Sequence, residues 1–191
     1  LSIGGVSKWA LSTDEKYFVT ATRKGLLCLW RCDTGKLVKR IQTHRRGVTS
    51  LQFHPGGKTL IVASRDQTLT FWSVPKGRAL GQSSVIRGFI QTMAVHPGGR
   101  WLGIVTYNNE LKLWDLETQQ VKLSLPLMGP GNSEIAPVRI HFTPDGQRLI
   151  VSGPNPTVKT WRFATLLSGA LDAKELYEEA RRRTGLRADN L

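Results

Sequence analysis

Short runs in which hydrophobic and polar residues alternate recur along the first 163 residues, and this spacing predicts β-strands instead of long helices. Four of the runs end in a tryptophan, with the sequences LLCLW, LTFW, LKLW and VKTW. The tryptophans are Trp30, Trp72, Trp114 and Trp161, at intervals of 42, 42 and 47 residues. A strand-forming unit is therefore repeated four times.

A turn that follows the first strand of each unit keeps the same register. The turns read TDEK, HPGGK, HPGGR and TPDGQ, and their aligned residues Thr13, Pro55, Pro97 and Pro144 are again 42, 42 and 47 residues apart. A repeat of about 40–45 residues matches one four-stranded blade of a β-propeller, whereas helical repeats are mostly shorter. The sequence therefore predicts an all-β propeller with about four blades of four antiparallel strands.

The repeats also set approximate domain bounds. The predicted blades span residues 6–41, 44–80, 90–125 and 137–163. In the first blade, turn residues between hydrophobic runs predict strands near Val6–Leu11, Tyr17–Ala21, Leu26–Trp30 and Leu37–Ile41. The insertion from Met128 to Ala136 accounts for the longer last interval.

The last blade is followed by a different kind of segment. After Trp161 and Phe163 no further strand is recognisable, and the sequence from Ser168 onward favours helix, so residues 164–191 are predicted to form a helical tail. Asp172 and Glu175 are spaced as a capping box, Leu171 and Leu176 form a hydrophobic staple, and Gly185 is suited to end the helix.

With these features in place, residues 1–163 resemble the WD40-repeat β-propeller family. The match is most specific in the second repeat, where the family has a histidine, a strand, a Pro-Asp-Gly-like turn, a serine, an aspartate and a terminal tryptophan. The corresponding residues are His44, Val48, Leu51, Phe53, Pro55-Gly56-Gly57, Ser64, Asp66 and Trp72.

The resemblance implies a structural role for His44, Ser64, Asp66 and Trp72, as a buried hydrogen-bond chain from the indole N–H to the serine, the histidine and the aspartate. Serine, histidine and aspartate also form hydrolase triads. The other repeats, however, place Lys24, Asn108 and Asn155 in the aspartate position, among other losses. Such decay is unexpected for a repeated catalytic device, so no catalytic residue is assigned.

The resemblance also bears on ring closure. Closed propellers of the family often complete their last blade with a strand from the N-terminal segment, which removes free sheet edges. Only five residues precede Val6. We therefore expect the chain to be the C-terminal part of a longer protein whose upstream region closes the propeller, with self-closure of four blades as the alternative.

Composition favours a non-enzymatic, cytoplasmic protein without cofactor or metal. Hydrophobic residues make up 40% of the chain, yet no run approaches the ~20 apolar residues that span a membrane. Cys28 and Cys32 are too far apart along one strand for a disulfide and are expected to be reduced, half-buried thiols. His54 and His96 occupy turns that are expected to be solvated, and His141 lies in a strand, so these histidines do not suggest a metal site.

The net charge of +13 is concentrated outside the tail. Residues after Phe163 include five basic and five acidic side chains, whereas the preceding part has 22 basic and 9 acidic. On the face where the turns between second and third strands emerge, the sequence predicts a basic rim with one tyrosine beside it. The rim residues, which are the candidate partner-binding residues, are Arg23, Lys24, Arg45, Arg46, Arg65, Arg87 and Tyr107.

Three functions remain open at this point. The leading hypothesis is a non-catalytic protein-interaction scaffold that presents this basic face to an acidic or phosphorylated partner. A nucleic-acid or polyanion-binding module is the second, although few aromatic residues are interleaved with the basic ones. The third is a propeller that recruits substrates for, or regulates, an upstream enzyme domain such as a kinase. A basic face that is merely solvated is the structural alternative to all three.

Overall fold

The strands form four antiparallel sheets in a computed structural model of the chain, which describes residues 5–43, 46–81, 84–127, 139–153 and 158–168. Sheet 1 contains β1 (Val6–Leu11), β2 (Tyr17–Thr22), β3 (Leu26–Arg31) and β4 (Leu37–Gln42). Sheet 2 contains β5 (Val48–Phe53), β6 (Thr59–Ser64), β7 (Thr68–Ser73) and β8 (Ser84–Val85). Sheet 3 contains β9 (Ile90–Val95), β10 (Trp101–Thr106), β11 (Glu110–Asp115) and β12 (Gln120–Pro126). Sheet 4 contains β13 (Arg139–Phe142), β14 (Arg148–Ser152) and β15 (Val158–Arg162), and it is followed by α1 (Phe163–Ser168).

Neighbours in sequence are also neighbours in each sheet, so every sheet is an antiparallel meander. The predicted all-β fold class is confirmed. The predicted strands of the first blade agree with the observed ones to within one residue at each end.

Two details differ from the expectation, whereas the three strands of sheet 4 among the described residues agree with the predicted absence of a further strand after Trp161. The outer strand of sheet 2 is not continuous up to Leu80, because an isolated bridge joins Trp72 to Ala79 and β8 pairs farther along, at Ser84–Val85. The helix begins directly after β15, earlier than Ser168. The insertion and the expected helix from Asp172 to Gly185 lie outside the described residues.

The hydrophobic core is divided into three clusters, and each cluster lies between two consecutive sheets. Between sheets 1 and 2, for example, Leu27 and Leu29 pack with Leu51 and Leu60. The second strand of each sheet is the most buried because it has a strand on either side and a packed face, whereas the outer strand β4 is mostly exposed. Each sheet therefore depends on its neighbour for burial.

The first strands of the sheets lie side by side in the order β1, β5, β9 and β13. No comparable packing joins β13 back to β1 within the part of the chain that the structure describes. The four sheets therefore do not form a closed ring among these residues, and the alternative of four-blade self-closure is not observed.

Sheet 1 consequently exposes the face that its neighbours bury. Trp9 is 66% exposed, whereas the equivalent Leu51 of sheet 2 is 3% exposed. Val6 is 53% exposed, and its equivalent Val48 is 6% exposed. Trp9 contacts Phe18 of its own sheet at 5.7 Å between ring centroids. This open apolar face has the residue types that sheets 2 to 4 use to pack on a preceding sheet.

Hydrogen bonds between turns join consecutive sheets on the opposite side from the basic rim. Thr13 Oγ1 donates to Pro55 O at 2.8 Å. The His54 Nε2 lies 3.0 Å from Gly99 O, while its Nδ1 accepts the Gly56 N–H, so Nε2 is the nitrogen that donates. The expectation that His54 is solvated was wrong, because its ring links two sheets and is only half-exposed.

His96 repeats this arrangement one sheet further along. Its Nε2 lies 3.0 Å from Gly146 O, and its Nδ1 accepts the Gly98 N–H at 2.9 Å. Its ring also stacks on Phe163 at 4.5 Å between centroids and meets Phe142 edge-on. The prediction of a solvated turn was therefore wrong for His96 as well. Both histidines hold neighbouring sheets together.

A substitution of Gly99 tests whether the His54 hydrogen bond stabilises the junction between sheets 2 and 3. An added Cβ there would lie 2.7 Å from His54 Nε2, and Gly99 has a φ of +80°. Gly57 has a similar φ of +70°, but an added Cβ would meet only ordinary contacts beyond 3.5 Å. We expect Gly99→Ala to lose about 1 kcal/mol more stability than Gly57→Ala in urea unfolding, because only the former also breaks the histidine hydrogen bond. Equal losses would contradict this role of His54.

Candidate interaction site on the basic turn face

Three equivalent turns bring candidate residues to one face of the sheets. Each turn is closed by a backbone hydrogen bond, from Gly25 N to Thr22 O (3.1 Å), from Gln67 N to Ser64 O (3.1 Å) and from Asn109 N to Thr106 O (3.0 Å). The residues that follow Thr22, Ser64 and Thr106 are Arg23, Arg65 and Tyr107. These three candidates therefore occupy the same position in three consecutive sheets.

Gly47 connects the first two of these turns. Its carbonyl accepts hydrogen bonds from Ser64 Oγ at 3.0 Å and from Arg65 N at 3.2 Å. An added Cβ at Gly47 would lie 2.3 Å from Arg23 O, and the residue has a φ of +87°. Only glycine allows this close approach with that backbone conformation. Gly47 thus holds the turns that carry Arg23 and Arg65 next to each other.

The turns and the adjacent strands enclose a cavity of about 300 Å³, which we call the turn-face cavity. It is lined by Ser7, Lys8, Arg23, Gly47, Val48, Thr49, Arg65 and Tyr107. Three of the predicted partner-binding residues therefore meet at one site. Lys8 and Thr49 were not predicted, because they lie in first strands, where the sequence pattern indicated only sheet packing.

The remaining predicted rim residues are more dispersed. Lys24, Arg46 and Arg87 are exposed on neighbouring turns and connections but do not line the cavity. Arg45 lies outside the described residues, so its predicted role stays a prediction. The cavity brings together Arg23, Arg65 and Tyr107 of the predicted rim.

The charges of the cavity are not neutralised within the described part of the chain. No acidic residue lines the cavity, and no ion pair involves Lys8, Arg23 or Arg65 there. Other arginines are paired, as Arg31 is with Asp33 at 2.5 Å. An incoming anion would therefore meet cations that have no competing carboxylate.

The pair of Arg100 and Asp115 shows the contrasting situation. Arg100 Nη2 lies 2.9 Å from Asp115 Oδ2, and its Nε lies 3.3 Å from Glu117 Oε2. The Asp115 carboxylate is fully buried, and the hydrogen bond from Arg100 lowers its pKa below the usual value in spite of that burial. Arg100 is thus committed to the fold and is not available to a partner.

Of the buried hydrogen-bond chain predicted in the second repeat, the described residues contain only bonds made by Ser64 and Asp66. Ser64 Oγ donates to Gly47 O and accepts a hydrogen bond from Asp66 N at 3.3 Å. Asp66 Oδ1 accepts from Thr68 N at 3.1 Å and also from the Thr68 hydroxyl. His44 lies outside the described residues, so its part in the chain remains a prediction.

Trp72 does not join this group. Its indole N–H donates to Thr70 Oγ1 at 3.0 Å and not to Ser64. The register explains this, because Trp72 pairs with Leu60 near one end of β6, whereas Ser64 lies four residues farther along the strand. At about 3.3 Å per residue the separation is roughly 13 Å, too long for a hydrogen bond.

The other three strand-ending tryptophans do not repeat this hydrogen bond. In sheet 1 the Trp30 indole N–H donates to Thr20 Oγ1 at 3.1 Å. In sheets 3 and 4 the position of Thr70 is occupied by lysine, and the indole nitrogens of Trp114 and Trp161 are buried without a hydrogen-bond partner in the described part of the chain. Trp114 and Trp161 thus act through packing, since each belongs to a core cluster, and Trp72 packs against a third cluster.

The described residues also bear on whether the chain has a metal site, a membrane-spanning helix or a disulfide. These residues contain no group of three or more side chains placed to hold a metal ion. None of the helical structure found in them is long and apolar enough to cross a membrane. Cys28 and Cys32 are both free thiols, but the first is buried and the second exposed, so the expectation of two half-buried thiols was wrong.

The fold is that of a protein built from repeated antiparallel sheets, with a candidate site on one set of its turns. Residues 35–73 match the family model for the WD domain, G-beta repeat. This segment runs from just before β4 to the end of β7, so the chain carries a WD40 repeat and its predicted resemblance to the WD40-repeat family is confirmed. WD40 repeats generally mediate protein–protein interactions and are typically non-catalytic scaffolds. No curated protein matched the chain.

The hydrogen bond of Trp72 provides a test of this local structure. Thr70→Val removes the indole's acceptor and should lower the free energy of unfolding by about 1 kcal/mol. It should also move the Trp72 indole N–H resonance in a ¹H–¹⁵N spectrum. Ser64→Ala is the matched control and should leave that resonance in place. If Ser64→Ala moved the Trp72 resonance and Thr70→Val did not, the result would favour the predicted hydrogen bond from Trp72 to Ser64.

Proposed function

We propose that the chain is a non-catalytic protein-interaction scaffold that captures an acidic partner on its basic turn face. The observation that carries this proposal is the turn-face cavity, where Lys8, Arg23 and Arg65 come from two sheets and no acidic residue is part of the lining. Tyr107, from a third sheet, is 39% exposed beside them. The site therefore combines cations with one aromatic side chain.

The chemistry of these residues suits recognition of carboxylates. The arginine guanidinium presents a planar set of donors that can bind a carboxylate through two hydrogen bonds, and it keeps its charge at all physiological pH values. Arginine and tyrosine are also enriched among the residues that dominate binding energy at protein interfaces. Because the turns are anchored to buried strands, little conformational entropy is lost when a partner binds.

Reversal of the cavity's charge tests the proposal. We expect Arg23→Glu/Arg65→Glu to weaken binding of a fluorescent glutamate-rich peptide at least tenfold in an anisotropy titration, because two attractive contacts become repulsive. Lys36→Glu/Lys122→Glu makes the same change of net charge at exposed positions away from the cavity. It should weaken binding by much less.

Two results would contradict the proposed site. Equal losses in the two double variants would show that only overall charge matters. Tighter binding of a single-stranded RNA, with a steep dependence of affinity on salt concentration, would favour the polyanion-binding alternative instead.

A second element of the proposal concerns ring closure. We propose that a further sheet from an upstream part of the same protein covers the open face of sheet 1. The exposure of Val6, Trp9 and Leu11 supports this, because the equivalent residues of sheet 2 are buried by a preceding sheet. Burial of this face by another sheet would stabilise the folded protein by roughly 25 cal/mol for each Å² of apolar surface removed from water.

Light scattering of the 191-residue chain tests this second element. With the face uncovered, we expect the chain to self-associate, and Trp9→Glu to shift it toward the monomer because a charge at this position opposes apolar contact. Val38→Glu, at an exposed position of the outer strand β4, makes the same change of charge and is the control. A monodisperse monomer of the unchanged chain would contradict the need for a covering sheet.

A further inference from the structure

We propose that the turn-face cavity is a binding site for one phosphate monoester, carried by the partner as a phosphorylated side chain. This inference rests on the proposed function, since it specifies the group on the acidic partner that the basic face recognises. Four observations carry it, namely the cavity's charge, an unpaired buried hydroxyl, a contrast with the equivalent position in sheet 1, and the cavity's size.

The first observation is the excess of positive charge in a small volume. Lys8, Arg23 and Arg65 line the same cavity, and no acidic residue lines it. A carboxylate brings one negative charge, whereas a phosphate monoester carries about −1.5 to −2 at neutral pH and has three acceptor oxygens. The phosphate therefore matches a cluster of three cations better than a carboxylate does, and arginine is well suited to bind it through two hydrogen bonds.

The second observation is the hydroxyl of Thr49. Thr49 lines the cavity and is 6% exposed, and its Oγ1 has no hydrogen-bond partner within the described structure. Buried polar groups are almost always paired, with protein or with water, so the Thr49 hydroxyl can donate one hydrogen bond to an acceptor beside the cavity. The Thr49 oxygen is itself shielded from solvent, so donation to an oxygen in the cavity requires a rotation about χ1 to another staggered position.

The third observation is the contrast between Thr49 and Ser7. Both are the extra residue of a β-bulge at the start of a first strand, because pairing skips one residue between Val6 and Lys8 and again between Val48 and Ser50. Ser7 Oγ donates to Ala21 O at 3.1 Å. The Thr49 hydroxyl makes no such bond. Bulges often re-aim a side chain toward a functional site, and of these two bulges only that of sheet 2 has a hydroxyl without a described partner.

The fourth observation is the size of the cavity. Its volume of about 300 Å³ is at the lower end of the ~300–1,000 Å³ range of small-molecule sites. This space suits a single phosphorylated side chain better than a large ligand. Tyr107 is partly exposed, so its ring is available to contact the carbon atoms that carry the phosphate.

Three peptides of one acidic sequence, with a central phosphoserine, glutamate or serine, test the inference by isothermal titration. We expect the phosphoserine peptide to bind at least tenfold more tightly than the glutamate peptide. Thr49→Val should weaken only the phosphoserine peptide, about fivefold or more, while Thr49→Ser should retain the affinity. Ser73→Ala is the control, because Ser73 Oγ is paired with Arg78 O at 3.2 Å and Ser73 does not line the cavity, and it should change neither peptide's affinity.

Thr49→Val is not expected to unfold the protein, because it is nearly isosteric and removes an unpaired polar atom. A melting temperature within a few degrees of the unchanged chain confirms this. If the valine variant nevertheless fails to fold, the comparison of the phosphoserine and glutamate peptides on the unchanged chain still decides the question.

The failures of the two proposals are distinguishable. Equal affinity for the phosphoserine and glutamate peptides, with both lost in Arg23→Glu/Arg65→Glu, would overturn the phosphate site and leave the acidic-partner proposal standing. Absence of binding to every acidic peptide would overturn both. Inorganic phosphate that binds as tightly as the phosphoserine peptide would identify a free anion as the ligand and overturn the assignment to a phosphorylated partner.

Discussion

The burial of each sheet against the next is the interaction on which the rest of the structure depends. A single sheet has two faces and cannot bury either one alone. The three core clusters all lie between consecutive sheets, and the hydrogen bonds from His54 and His96 fasten the same junctions at the turns. Each repeat of such a protein gains stability from the repeats beside it, so a sheet with no described sheet on one side has an open face there. The exposed Trp9 is the visible consequence in sheet 1.

The same packing positions the candidate site. Because consecutive sheets have a common register, equivalent turns emerge side by side, and Arg23, Arg65 and Tyr107 converge although they are 42 residues apart in sequence. Gly47 completes this arrangement because its missing side chain lets two turns approach each other. The scaffold thus creates a charged site from residues that serve no packing purpose themselves, which is how a rigid fold can acquire a binding function without altering its core.

Much of this could be predicted from the sequence, and the limits have physical causes. The strands and turns were predictable because the hydrophobic pattern and the turn residues repeat, and the turn positions of Arg23, Arg65 and Tyr107 followed from that register. The roles of Thr49 and His54 could not be predicted, since a β-bulge and a hydrogen bond across a junction leave no periodic signal. The partner predicted for Trp72 was wrong. The family pattern shows which residue types are present, but the hydrogen bond depends on how far apart those residues lie along the paired strands.

The sequence by itself determined that the chain is a four-fold repeat of antiparallel strands with an excess of positive charge on its turns. These properties are local, because strand pattern, turn residues and charge can all be read within one repeat. Only the tertiary structure decided which of the basic residues share a cavity, that Lys8 and Thr49 join them, and that one face of sheet 1 is open. Those properties arise between sheets, where residues distant in sequence come within contact distance and their burial depends on the neighbour.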